Sequence, residues 1–234
     1  TLVGAFGIGI KPSGDKDPYG LRRAAIGLLR ISIEGRLDLD FAALCTAAQQ
    51  TYTGIFPPSE ALNETVLEFL RERFRVYFQE RSIRADVIAC VLATAPVRPY
   101  DASLRLLAVE QFSRQPEARS LISAYKRIHN LLRQTGQSVT ALQAEALVEP
   151  AEQALAQAYA SRHDAIHQAL EAQDYVTALA RLAELERPLD AFFTEVMVMV
   201  EAVDLRNNRL ALLQKLYQAF SQVADFSHAY TVTQ

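Results

Sequence analysis

Apolar positions in this chain recur mainly three and four residues apart, and period-2 alternation is rare. That pattern predicts helices in succession rather than a sheet. Asp17-Pro18 reads as N-cap and first helical residue of a helix with Leu21, Ala24, Ala25, Leu28 and Leu29 on its apolar side. A short Ala-rich helix covers residues 40–54, and Pro57-Pro58 breaks the chain after it. Ser59 then caps a long amphipathic helix running to about Arg81, with Leu62, Val66, Leu67, Phe69, Leu70, Phe74, Tyr77 and Phe78 as core candidates. A short helix covers 84–93. Pro96 and Pro99 mark a loop, and Asp101 caps the following helix. Residues 117–134 form a helix with Ile122, Tyr125, Ile128, Leu131 and Leu132 on one side. Residues 135–149 read as a linker. Pro150 opens an Ala-rich helix to about Gln173, and Asp174 caps another that ends near Arg187-Pro188. Phe192 to Leu213 begins as a dense apolar run, turns through a polar elbow at Arg206-Asn207-Asn208-Arg209, and continues as an amphipathic helix. The last helix turns Leu216, Phe220 and Val223 inward, and the tail after His228 is expected to fray. The predicted fold class is all-α.

Composition changes this picture little. Half of the 234 residues are hydrophobic, enough for one large core or two smaller ones. The formal charge of −3 excludes a generally basic nucleic-acid protein, yet the charge is uneven. Between Arg105 and Arg133 the bases Arg105, Arg114, Arg119, Lys126, Arg127 and Arg133 face only Glu110 and Glu117, whereas acids dominate from Glu145 to Asp204. A locally basic face can hold a polyanion on an acidic chain; such asymmetry can equally serve to order domains against each other. A boundary is expected within about 94–116, dividing the chain into 1–105 and 106–234. Cys45 and Cys90 lack metal-ligand spacing and read as buried thiols of a reducing, cytoplasmic setting. The chain opens on Thr1 inside an apolar segment, as expected for a piece of a longer protein.

The glycines of residues 1–16 invite a phosphate-loop reading, but no Gly-Lys-Ser/Thr occurs and no GxGxxG is present. Close packing and a turn account for them better. His163 and His167 stand four apart on one helix, without the acid or cysteines a metal site needs. No nucleophile–base–acid constellation emerges, so no bond-making chemistry is expected of this chain by itself. At the elbow, two guanidinium and two amide groups suit phosphates and base edges. The plainer alternative is a helix junction in which Arg206 caps carbonyls and Arg209 pairs with an acid, Glu201 or Asp204.

Three stretches carry a resemblance. FFTEVMVMVEAVDLRNNRLALLQKL (192–216) with VADFS (223–227) resembles the C-terminal end of the beta subunit of bacterial glycyl-tRNA synthetase, the type with separate alpha and beta chains. It departs from the family pattern at Thr194 and at Ala202-Val203, where acids are usual. KPSGDKDPYGLRRAAIGLLRI (11–31) is similar to the end of that family's degenerate HD-type helical domain, and Ala124-Tyr125-Lys126-Arg127-Ile128 to the opening helix of a DALR-type anticodon-binding domain. The resemblance implies part of an HD-like helical domain at 1–105 and a DALR-type helical domain at 106–234. It implies an enzyme that attaches glycine to its tRNA with ATP and Mg2+, whose alpha subunit holds the ATP and glycine sites and joins the beta subunit in a heterotetramer. The present chain would supply tRNA(Gly) recognition, with no cofactor of its own. On that reading the RNA-contacting residues are Lys126, Arg127, Arg133, Arg206, Asn207, Asn208, Arg209 and Lys215. The competing expectation is a helical scaffold for subunit assembly with little affinity for RNA. An HD-type phosphohydrolase is excluded for lack of its metal ligands within these residues.

Overall fold

The computed structural model describes residues 1–14, 16–135 and 141–230. The opening of the predicted linker (136–140) and the end of the tail (231–234) lie outside them. Among the described residues the secondary structure is helical throughout, apart from one isolated bridge between Ser13 and Lys16. The chain divides into two units, 1–88 with 95–103, and 89–94 with 104–234. The division falls inside two helices, α5 (Ala85–Leu92) and α6 (Pro99–Phe112).

The first unit is built on α4 (Glu60–Gln79), which receives α1 (Leu2–Gly7), α2 (Leu21–Glu34) and α3 (Phe41–Gln50). Val66, Leu67, Leu70, Phe74, Tyr77 and Phe78 of α4 are buried at spacings that keep them on one broad face. Burial of each such side chain contributes on the order of 1.5–3 kcal/mol. Leu62 and Phe69, at the edge of that face, are half-buried. Arg71, at the edge of that face and half-buried, pairs with Glu64 and Glu68 at 2.6 and 3.0 Å, contacts worth a few tenths of a kcal/mol where the acids are exposed. The glycine-rich start serves close packing. A Cβ at Gly4 would fall 2.7 Å from the Tyr52 ring, and one at Gly7 would collide with Phe56. Both Cys45 and Cys90 are buried and unbridged.

Three predicted helix starts differ in detail. α6 begins at Pro99, which places Asp101 inside its first turn and not at its cap. α2 begins at Leu21, with Gly20 in the left-handed region at φ 64°. Asp17 still caps it, from further upstream, by accepting from the Leu21 and Arg22 N–H groups at 2.8 and 2.9 Å. Ser59 precedes α4 but makes no side-chain cap. Its N–H donates to Gln49 Oε1 and its carbonyl accepts from Gln49 Nε2, so buried Gln49 fixes the entry to α4 through the Ser59 backbone.

The second unit packs α7 (Ala118–Thr135), α8 (Pro150–Glu171), α9 (Tyr175–Ala183), α10 (Glu186–Glu195) and α11 (Val203–Ser221). α7 lies against α10, α11 and a final 3-10 turn, Phe226–His228, while α8 lies against α9, α10 and α11. Asp174 caps α9 through the Thr177 N–H at 3.1 Å, and Leu216, Phe220 and Val223 are buried as the periodicity predicts. The helix expected to end at Arg187-Pro188 stops earlier, at Ala183, because that dipeptide sits in the first turn of α10. N–H groups in a first turn have no helical acceptor, so proline costs nothing there.

The stretch 192–213 is also arranged differently from the expectation. α10 ends at Glu195, and residues 196–202 are neither helix nor strand. Val196 and Val198 are buried while Met197 and Met199 are exposed, the alternation of an extended chain. The elbow is therefore this apolar segment. Arg206-Asn207-Asn208-Arg209 already belongs to α11.

Candidate nucleic-acid interface

An extended segment with no strand beside it leaves its carbonyls in need of donors. The first turns of α11 supply them. Arg206 Nη1 donates to the Val200 carbonyl at 3.1 Å, and Arg209 Nη1 to that of Met197 at 2.9 Å. Arg209 is 3% exposed, and its Nε meets Glu152 Oε2 at 2.6 Å. Glu152 is wholly buried at the start of α8, where it also accepts from the N–H groups of Val148 and Glu149, completing a capping box with Glu149. Burial alone would raise the Glu152 pKa; the Arg209 guanidinium and the two backbone donors outweigh it and hold the carboxyl below its ordinary range. Buried Asn208 pairs with the backbone of Gln143 in both directions, its Oδ1 accepting from the N–H and its Nδ2 donating to the carbonyl, each at 2.8 Å.

Of the RNA-contacting residues expected from sequence, Asn208 and Arg209 are buried, with their polar groups bonded within the fold. Arg206 is half-buried and holds a carbonyl, as the plainer alternative had it, whereas the partner of Arg209 is Glu152 of α8 and neither Glu201 nor Asp204. Asn207 is half-buried. Lys215 is exposed and lines a cleft of about 540 Å³ with Gln157, Tyr159, His163 and Asp164. The rings of His163 and His167 lie 6.0 Å apart, each facing an acid of its own helix, Asp164 and Glu171.

α7 distributes its residues by face. Tyr125 is buried, stacks on Tyr217 at 4.9 Å, and shares its hydroxyl with Ser221 and Asp225 at 2.9 and 3.2 Å. Burial pushes that hydroxyl far above the ordinary tyrosine range, so it stays protonated and can donate. His129 reaches the Tyr217 hydroxyl at 3.1 Å. Lys126 is half-buried and donates to the Ala229 carbonyl at 2.5 Å, which ties it to the chain's end. Arg127 and Arg133 point outward, and neither has an ion-pair partner among the described residues. The Arg127 guanidinium lies 4.3 Å from the centre of the Phe193 ring. Together they border a cleft of about 430 Å³ that Arg119, Ser120, Ser123 and Asp190 also line. Arg119, Phe193 and Asp190 were not among the expected contacts. The spacing 119–123–127 puts Arg119 on the face of Arg127, but the meeting with α10 is a tertiary contact that no local pattern announces.

Among the described residues no three His, Cys, Asp or Glu side chains gather to hold a metal ion. No described helix is long and apolar enough to cross a membrane.

An all-α unit of this kind, with a basic outer face on its first helix, has a known counterpart: residues 121–226 match the family model of the DALR anticodon binding domain. Residues 1–93 match that of the glycyl-tRNA synthetase beta subunit. Curated relatives named glycine–tRNA ligase beta subunit align over 97% of the chain, with 46% identity for Aeromonas hydrophila, 45% for Pseudomonas aeruginosa and 44% for Shewanella oneidensis. The chain spans 33% of the length of these relatives. It belongs to the glycyl-tRNA synthetase beta-subunit family through residues 1–93 and carries a DALR anticodon binding domain at 121–226.

Proposed function

We propose that this chain is the tRNA-recognising portion of a glycine–tRNA ligase beta subunit, and that its second unit reads the anticodon of tRNA(Gly). The observation that carries this reading is the DALR match over residues 121–226. The outward Arg127 and Arg133 on the first helix of that match support it. The ligase as a whole would join glycine to tRNA at the expense of ATP, with Mg2+, and with the alpha subunit as partner in a heterotetramer, in the cytoplasm. Those steps fall to parts of the enzyme beyond the residues described. Functionally the chain would divide near residues 105 and 106. The RNA-facing set is Arg127, Arg133 and Lys215, with Lys126, Arg206 and Asn207 at its margin, each half-buried. Phosphate contacts from these cations would hold the tRNA, and base contacts would select it.

A second reading, a scaffold for subunit assembly, draws support from the exposed Met197, Met199 and Val203. Binding of the chain to tRNA(Gly), and to the same tRNA with its two anticodon cytosines replaced, separates the two at low and high salt. Anticodon recognition predicts tighter binding of the native tRNA that persists as salt rises. Equal binding that collapses with salt would reduce the interaction to phosphate attraction, and no binding would favour the scaffold.

A further inference from the structure

We infer that the cleft between α7 and α10 is a pocket for one unpaired cytosine, with Asp190 as the residue that tells cytosine from uracil. The inference rests on the anticodon reading given above and assigns the base contact within it. Three features of the cleft carry it.

The first is a stacking platform. Phe192 is fully buried and meets Phe193 edge-on at 5.5 Å and 77°, so the Phe193 ring is held from within. Arg127 covers that ring at 4.3 Å. A guanidinium laid over an aromatic ring extends the flat surface on which a splayed base stacks.

The second is an open acceptor. Asp190 is exposed, and its carboxylate has no hydrogen-bond or ion-pair partner among the described residues, although two guanidinium groups line the same cleft. Its backbone carbonyl is the atom committed to the helix, accepting from Thr194 Oγ1 at 2.9 Å. An ionised carboxylate only accepts. It therefore suits the N4 amino group of cytosine and repels the O4 oxygen that uracil presents in the same place.

The third is a set of open donors. Arg119 and the hydroxyls of Ser120 and Ser123 face the cleft without a partner among the described residues. They are placed to serve the N3 and O2 acceptors of cytosine or the phosphate beside it. Two guanidinium groups against one carboxylate leave the cleft net positive, which favours an anionic strand. Guanine could also offer an amino group to Asp190. Cytosine is the base assigned because a tRNA that decodes glycine carries it at the second and third anticodon positions.

The test uses the chain and the tRNA(Gly) anticodon stem-loop, native and with each of its two anticodon cytosines in turn replaced by uracil or by guanine. Wild type should bind the native loop about tenfold more tightly than the uracil form at the sensitive position. Asp190→Ala should remove most of that tenfold preference while the salt dependence stays unchanged. Asp190→Asn, whose amide can donate to O4, should bind the uracil loop more tightly than wild type does, a gain that misfolding cannot produce. If wild type prefers cytosine and both variants keep that preference, the pocket assignment is overturned and the anticodon reading stands. If wild type prefers guanine, the assignment is likewise overturned. If wild type shows no base preference, the anticodon reading fails and takes the inference with it.

Discussion

The start of α11 and the outer face of α7 carry the same chemistry and put it to opposite uses. Each has two arginines and at least one asparagine within a few residues. On α11 the guanidinium of Arg209 is buried, bonded to Glu152 and to the Met197 carbonyl, and Asn208 is bonded to both polar groups of Gln143. On α7 the guanidinium of Arg127 lies over Phe193 at the surface, and Arg133 and Asn130 face solvent. The difference lies in what each helix packs beside. α11 follows an extended segment whose carbonyls have no strand to bond with, and its first turns replace that strand. α7 presents Arg127 on the side away from Tyr125 and Ile128, at the surface and without an ion-pair partner among the described residues. A cation's neighbours, more than its identity, decide whether it serves the fold or a ligand.

The comparison breaks most visibly at Arg209. Arg209→Ala leaves Glu152 buried without its cation and frees the Met197 carbonyl, so the second unit should lose about 3–5 kcal/mol, read by urea denaturation. Loss of less than about 1 kcal/mol would mean that Arg209 is not the anchor described. In that case the RNA-binding assignment would be open to it again.

A smaller effect of the same pair appears in acid. The folded Glu152 carboxyl titrates below its ordinary value of 4.5. Its contribution to stability is therefore complete above about that pH and is lost as pH falls through the folded value. The melting temperature of wild type should drop more steeply below pH 4.5 than that of Glu152→Gln, which keeps an acceptor for the Val148 and Glu149 N–H groups but cannot titrate. Parallel curves would remove Glu152 from the account of acid sensitivity.

Much of the fold was legible because helices of this kind announce themselves. The i, i+3, i+4 spacing of Val66 to Phe78 and of Leu121 to Ile128 marks buried faces directly, and Asp174 marks a start. What escaped depends on partners distant in sequence. Pro188 looks the same whether it ends one helix or opens another. Val196 to Val200 reads as either a buried helix or a strand-like run until its alternating burial is seen. The partner of Arg209 lies 57 residues away on α8, beyond the reach of any local pairing rule. For the candidate interface, sequence located the basic face of α7. It could not bring Asp190 and Phe193 to that face.

The smallest expected change in stability comes from Arg127. Arg127→Ala removes a surface cation–π contact worth about 0.5–1 kcal/mol, so the melting temperature should fall by only a few degrees. Binding to tRNA(Gly) should weaken more than stability does, because the cation and half of the stacking platform are lost together. The slope of log affinity against log salt should also become shallower by about one unit if the guanidinium neutralises a phosphate. Arg127→Lys should restore the slope while recovering little of the stacking, since an ammonium is a point charge and cannot extend the Phe193 ring. A variant that melts early yet binds tRNA unchanged in its folded fraction would place Arg127 beside Arg209 as a structural residue. The contrast between the two helices would then rest on Arg133 and Arg119 alone.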